Sequence, residues 1–167
     1  MIISPDAMLY NGRGEYEWSE KRVKAAWEGA WHLYKTYVDS GHIEDVVVLC
    51  GIPGSGKSTL ASTINRPGRL VFDATFINRR RRKDVFLATP ENIPVKGVWI
   101  RVIHSVARKR NQERGEYRRV PDSTVDRMIA SFEPPLTDEG FSSVYYVNGD
   151  GNAIEFPGGR QIHSSLI

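Results

Sequence analysis

The sequence holds a single cysteine, Cys50. An internal disulfide framework is therefore excluded, and a lone thiol closing the apolar run Val46 to Cys50 reads as a small buried residue rather than a nucleophile. The four histidines, His32, His42, His104 and His163, fall at no metal-ligand spacing and read as surface or incidental positions. No apolar run approaches the roughly twenty residues needed to span a bilayer. The first residues lack the basic-then-apolar order of a secretory leader, so a cytoplasmic protein is expected. Repeats and low-complexity tracts are missing as well, apart from a run of four arginines, Arg79 to Arg82. With 167 residues, 40% of them hydrophobic and 26% charged, the chain is expected to form one globular domain over 1–167, with no room for a second catalytic unit.

Negative charge is scarce in the middle third. Arg66 to Arg119 carries 15 Lys plus Arg against five Asp plus Glu, a net of +10, although the whole chain stands at +3. Arginine outnumbers lysine 16 to 7. Planar guanidinium groups suit repeated phosphate contacts, so a polyanionic ligand is one reading of this segment. A solvated basic face is the other.

What is present is a phosphate-binding pattern. Gly51-Ile52-Pro53-Gly54-Ser55-Gly56-Lys57-Ser58-Thr59 fits G-x-x-x-x-G-K-[ST] directly after the Val46 to Cys50 run. A loop that wraps a triphosphate must turn successive backbone N–H groups inward, in conformations a Cβ obstructs, and Gly51, Gly54 and Gly56 meet that need. The helix that opens at Lys57 adds the positive end of its dipole. A nucleoside triphosphate is the expected ligand, with Lys57 on the β- and γ-phosphates, Ser58 holding Mg2+, and the Thr59 hydroxyl near the α-phosphate.

The rest of the chain alternates strands with helices. Met1 to Ser4 contains a very short strand, Pro5-Asp6 a turn, and Asn11 to Gly14 a loop. From the cap Ser19, the spacing of Val23, Trp27, Trp31, Tyr34 and Val38 predicts an amphipathic helix stopped by Gly41. Its aromatic stripe either packs in the core, the commoner use, or stacks bases. A short helix after the loop ends at Asn65 to Gly68, and Leu70 to Phe72 forms a buried strand closing on Asp73. Helices are expected from the cap Asn78 to before Pro90, from His104 or Ser105 to Gly115, and from Pro121 to about Phe132. Strands are expected at Val95 to Ile103 and Val144 to Val147, then a turn over 148–152 and a loosely ordered tail after Pro157. This is an α/β pattern with a parallel sheet of about five strands, whose ligands lie at the carboxyl ends of the strands.

Val46 to Val147 resembles the polynucleotide 5'-kinase branch of the P-loop kinases. The likeness rests on GIPGSGKST (51–59), VFDATFINRRRR (71–82), RKRNQERG (108–115) and VPDSTVDRMIASFEPPLTDEGF (120–141). It implies a P-loop kinase fold with a helical lid over 104–120. Asp73 would hold Ser58 or a metal-bound water, Arg110 and Arg114 would clamp the phosphates from one helix face, and Arg110 would border the adenine. In that family a strand bearing an aspartate and a long helix lie between the loop and the Asp-x-Thr strand. Here about a dozen residues separate them, and Ile2 to Asp6 with the helix after Ser19 resembles the missing piece moved ahead of the loop.

The resemblance therefore implies a circularly permuted kinase, with 1–41 as the displaced segment and Asp6 as general base. The loop strand should then lie beside the Asp73 strand. The family's arginine three positions after the base falls on Leu9, with Arg13 as a substitute. Asp6 read alone is also an ordinary turn residue. The implied reaction is transfer of the ATP γ-phosphate to 5'-hydroxyl ends of RNA or DNA, with Arg79, Arg80 and Arg82 tracking the nucleic-acid backbone. Its rivals are a small-molecule kinase and a nucleotide-dependent nucleic-acid-binding ATPase. No phosphatase or ligase motif accompanies the loop.

Overall fold

The computed structural model describes residues 1–115 and 118–149 and a strand at 154–155. The expected loose tail, His163 and the second half of the 148–152 turn lie outside the described residues. The strands are β1 (Ile2–Ile3), β2 (Asp45–Cys50), β3 (Arg69–Phe72), β4 (Val95–Arg101), β5 (Ser143–Asn148) and β6 (Ile154–Glu155). The helices are α1 (Glu20–Val38), α2 (Lys57–Ile64), α3 (Arg79–Ala88), α4 (His104–Gln112) and α5 (Asp122–Ala130).

One sheet runs in the order β1-β3-β2-β4-β5-β6. The first five are parallel and β6 pairs antiparallel with β5. The loop strand β2 lies between β3 and β4, with Val48 opposite Phe72 and Cys50 opposite Trp99. The N-terminal strand β1 lies outside β3, Ile3 opposite Phe72. This ends β1, β2 and β3 along one edge and brings Asp6, Gly51 and Asp73, which each follow a strand end, to the same side of the sheet. The sequence shows no sign of β6, and β4 stops at Arg101, two residues short of the expected Ile103.

Every residue of β2 and β3 is buried, as continuous apolar runs covered on both faces require. The aromatic stripe of α1 settles into the core. Tyr34 stacks on Phe72 with ring centroids 5.2 Å apart, Trp31 meets the same ring edge-on at 5.1 Å, and Trp27 meets Phe76 at 6.0 Å. Such pairs are each worth about 0.5–1.5 kcal/mol beyond area burial. Ser19 caps α1 by accepting from the Arg22 amide at 3.2 Å. The opposite face is filled by Val47, Leu49, Val71, Val98 and Ile100 against Ala61 and Ile64 of α2.

The arginine run of α3 divides by helical geometry, since four consecutive residues point to all sides. Arg82 is fully buried and makes a two-pronged pair with Glu139, at 2.7 and 2.8 Å, while also donating to the carbonyls of Phe76 and Glu133. This corrects the expectation that Arg82 tracks a nucleic-acid backbone: it is a core anchor out of reach of any polymer. Arg79 is exposed but engaged with Asp138 at 3.0 Å. Arg81 lies 5.8 Å over the Trp27 ring. Arg80 is exposed and has no ion pair among the described residues. Asn78 accepts from the Arg81 amide at 3.0 Å, and the Glu133 carboxylate accepts from the Arg79 amide at 2.7 Å. The Phe-Glu-Pro-Pro segment thus caps the amino end of α3, where a carboxylate also favours the helix dipole.

Candidate active site

The phosphate loop is built by two close approaches. Gly54 has φ +80°, and a Cβ there would lie 2.2 Å from the Ala107 carbonyl oxygen of α4. Gly51 faces Ser55, whose hydroxyl is buried without a hydrogen-bond partner among the described residues. Gly56, at φ +98°, turns the chain into α2. Pro53 is buried within the same turn. Lys57 folds back over the loop and donates to the carbonyls of Gly51 and Ile52, both at 2.9 Å. Ser58 and Thr59, on the first turn of α2, are exposed.

Electrostatics tie distant segments to this loop. Burial pushes the Lys57 ammonium down to about 8, opposed by the Asp73 and Asp6 carboxylates and reinforced by Arg114. Burial also raises the Asp73 carboxyl, against a hydrogen bond from Ser58 and the charge of Lys57. Asp6, Lys57, Asp73 and Arg114 therefore act on one another as a single cluster drawn from four places in the chain. Asp6 opens a 3₁₀ turn, Asp6–Leu9, and is exposed. Leu9 closes that turn with 3% exposure, so the position of the family's arginine is used for packing. Arg13 is exposed in the turn between Tyr10 and Tyr16.

The lid differs from expectation in one respect. α4 ends at Gln112, so Arg110 and Arg114 do not share a helix face: Arg110 donates to the Gly149 carbonyl at 3.0 Å, whereas Arg114 lies past the helix end. Arg110 therefore joins the lid to the residues after β5, and Arg114 is the arginine that acts on Lys57. Asn111, fully buried, exchanges two hydrogen bonds with Val120, donating at 2.7 Å and accepting at 3.1 Å. These bonds tie the end of α4 to the residue before Pro121 and α5. Asn111 was not legible as a site residue, because asparagine in a charged helix reads as surface.

A cavity of about 940 Å³ lies beside the loop, lined by Ile52, Trp99, Arg101, Phe132 and Tyr146 among others. Sequence reasoning also passed over Tyr10 and Tyr16. They form an antiparallel bridge across Asn11-Gly12-Arg13-Gly14, a small hairpin for which Asn-Gly between aromatic residues is the available signal.

A metal fits the residues present. Mg2+ takes hard oxygen ligands, keeps several waters, and is usually held by one or two carboxylates with substrate phosphates. The hydrogen-bonded pair Ser58 and Asp73 offers one hydroxyl and one carboxylate at the mouth of the loop. No cluster of three or more His, Cys, Asp or Glu residues exists among the described residues, which leaves no room for an all-protein cage there. No described helix is long and apolar enough to cross a membrane.

Residues 63–135 match a family model described as an AAA domain. The matched span begins in α2, after the loop, and runs through Asp73, α3, β4 and the lid to Pro135. No curated protein matches the chain. The chain has the α/β fold of P-loop kinases, and the matched span together with the phosphate loop supports its place in the P-loop kinase superfamily.

Proposed function

We propose that the protein is a polynucleotide 5'-hydroxyl kinase that transfers the γ-phosphate of ATP to 5'-hydroxyl ends of RNA or DNA. The observation that carries this reading is the arrival of Asp6 at the Lys57, Asp73 and Arg114 cluster from about fifty positions upstream of the loop. The placement of β1 outside β3 supports the further reading of a circularly permuted kinase, with residues 1–41 as the displaced segment.

In this reaction the bond between the γ-phosphorus and the β,γ-bridging oxygen breaks, and a bond from the acceptor oxygen to the γ-phosphorus forms. Asp6 orients the acceptor hydroxyl and takes its proton. Lys57 leaves the Gly51 and Ile52 carbonyls for the phosphates, and Arg114 covers the charge that spreads over the transferred group. Arg110 borders the adenine beside Gly149. Ser58 and Asp73 would hold Mg2+, which would supply positive charge against the phosphates. Arg79 and Arg80, freed of Arg82, remain as contacts to the acceptor chain.

One observation favours a small-molecule acceptor instead. Part of the basic segment is paired within the protein, Arg66, Arg69 and Lys96 sharing Asp45 and the buried Arg82 held on Glu139. The two readings are separated by labelled-phosphate transfer to a 5'-hydroxyl oligonucleotide and to small alcohols, with Asp6→Asn alongside. Transfer to the oligonucleotide that weakens as salt rises, and that Asp6→Asn abolishes while ATP still binds, is expected. Unchanged transfer in Asp6→Asn would sink the role of Asp6 and the permuted reading with it.

A further inference from the structure

The N-terminal hairpin and the lid meet beside Asp6, and three residues there have no part in the ATP site. Tyr10 and Tyr16 face each other across their bridge with ring centroids 5.4 Å apart, edge to face. The Arg118 guanidinium, from the lid, lies 5.6 Å over the Tyr10 ring. Burial raises the Tyr16 phenol, and the Asp6 charge raises it further, while Arg118 and Arg114 pull it down. Two aromatic rings, two guanidinium groups and the Asp6 carboxylate thus converge on one place.

Their chemistry is complementary to a nucleotide. Arg118 is exposed, and its contact is to a ring face, which leaves its N–H fork without a partner among the described residues. Its neighbour Arg119 is already paired with Asp122 at 2.9 Å. A guanidinium held flat by an aromatic ring presents a preorganised two-pronged donor to a phosphate. Half-buried tyrosine rings offer a surface against which a base stacks without regard to its identity. Leu9 is committed to the core.

We infer that Arg118, with Tyr10 and Tyr16, forms the binding site for the first nucleotide of the acceptor. Arg118 holds the phosphate on its 3' side, and the tyrosine pair receives its base. This rests on the nucleic-acid acceptor proposed above. It also gives the lid two duties, since Arg114 acts at the donor phosphates and Arg118 at the acceptor within one segment stapled by Asn111 to Val120.

The test compares ATP-dependent transfer to a nucleoside 3'-monophosphate and to the same nucleoside without its phosphate, in the wild type, Arg118→Ala and Arg118→Lys. Calorimetric binding of the nucleoside 3'-monophosphate is measured in parallel. The wild type should prefer the phosphorylated acceptor. Arg118→Ala should raise its KM about 10- to 100-fold, the range for losing charge-assisted hydrogen bonds. The KM for ATP and for the bare nucleoside should stay within about twofold, and Arg118→Lys should recover part of the loss.

Arg118→Ala binding the 3'-monophosphate as tightly as the wild type, or losing both acceptors equally, overturns the site. A wild type that binds the 3'-monophosphate through Arg118 but transfers to neither compound overturns the acceptor reading and leaves the site standing. Transfer to both acceptors without any effect of Arg118 does the reverse.

Discussion

Binding of ATP should draw a proton onto Lys57. In the free protein its ammonium sits against two loop carbonyls, and burial holds it down to about 8. It is therefore about half neutral at pH 8 and about nine-tenths neutral at pH 9. A triphosphate in the loop replaces neutral carbonyl partners with several negative oxygens and returns the group toward or above the ordinary lysine value of 10.5. Uptake on binding should be about 0.1 proton at pH 7, about 0.5 at pH 8 and about 0.9 at pH 9. The terminal phosphate of the nucleotide, with its second pKa near 6, is already ionised at pH 8 and contributes little.

The assay is titration calorimetry of ATP into the protein at those pH values, in buffers of differing ionisation enthalpy, whose slope gives protons taken up. Lys57→Met should abolish the slope along with most of the affinity. No uptake at pH 8–9, or uptake that survives in Lys57→Met at a concentration where nucleotide still binds, would refute the account of Lys57.

Other consequences concern the frame around the site. Glu139→Gln strands the buried Arg82 guanidinium and should cost about 3–5 kcal/mol in denaturant unfolding, with ATP affinity unchanged per folded molecule. Burial would raise the Asp45 carboxyl, but hydrogen bonds and charge from Arg69 and Lys96 outweigh it and hold the group at about 2, below its ordinary 3.8. Its folded value is depressed, so this stabilisation is whole above about pH 4 and drains away as pH falls toward 2. An acid-unfolding series should show Asp45→Asn less stable than the wild type at neutral pH and closing the gap below pH 4. Gly54→Ala meets the Ala107 backbone and a positive φ together, whereas Gly56→Ala meets the positive φ in open space. Equilibrium ATP binding should fall more in the first than in the second, where strain of about 1–2 kcal/mol is the whole effect.

Much of the fold was legible because its signals are local. The loop pattern, the caps Ser19 and Asn78, and the apolar runs at β2 and β3 each depend on neighbours within a few positions. Asp73 was found for the same reason, at the end of a run that must be a buried strand. What escaped depends on partners far along the chain. The charge of the middle third looked like a surface field, yet Arg66 and Arg69 meet Asp45, Arg79 meets Asp138 and Arg82 meets Glu139, all carboxylates outside that segment. A window of sequence counts charges without their counterions. Arg110 and Arg114 looked coplanar only while the helix was taken to continue, and its end at Gln112 is set by the reciprocal bonds of Asn111 with Val120. Tyr10, Tyr16 and Arg118 form a group only once hairpin and lid are folded together.

Leu9 bears on the order of events. The turn that presents Asp6 ends in a side chain held in the core, so its shape is settled when the protein folds and needs nothing from a bound molecule. A polar anchor at that place would stay unordered until its partner came, and each encounter would lose binding free energy to the ordering. Seating the turn with an apolar residue moves that entropic cost from every turnover to a single folding event, and any group that meets Asp6 finds the carboxylate already in position.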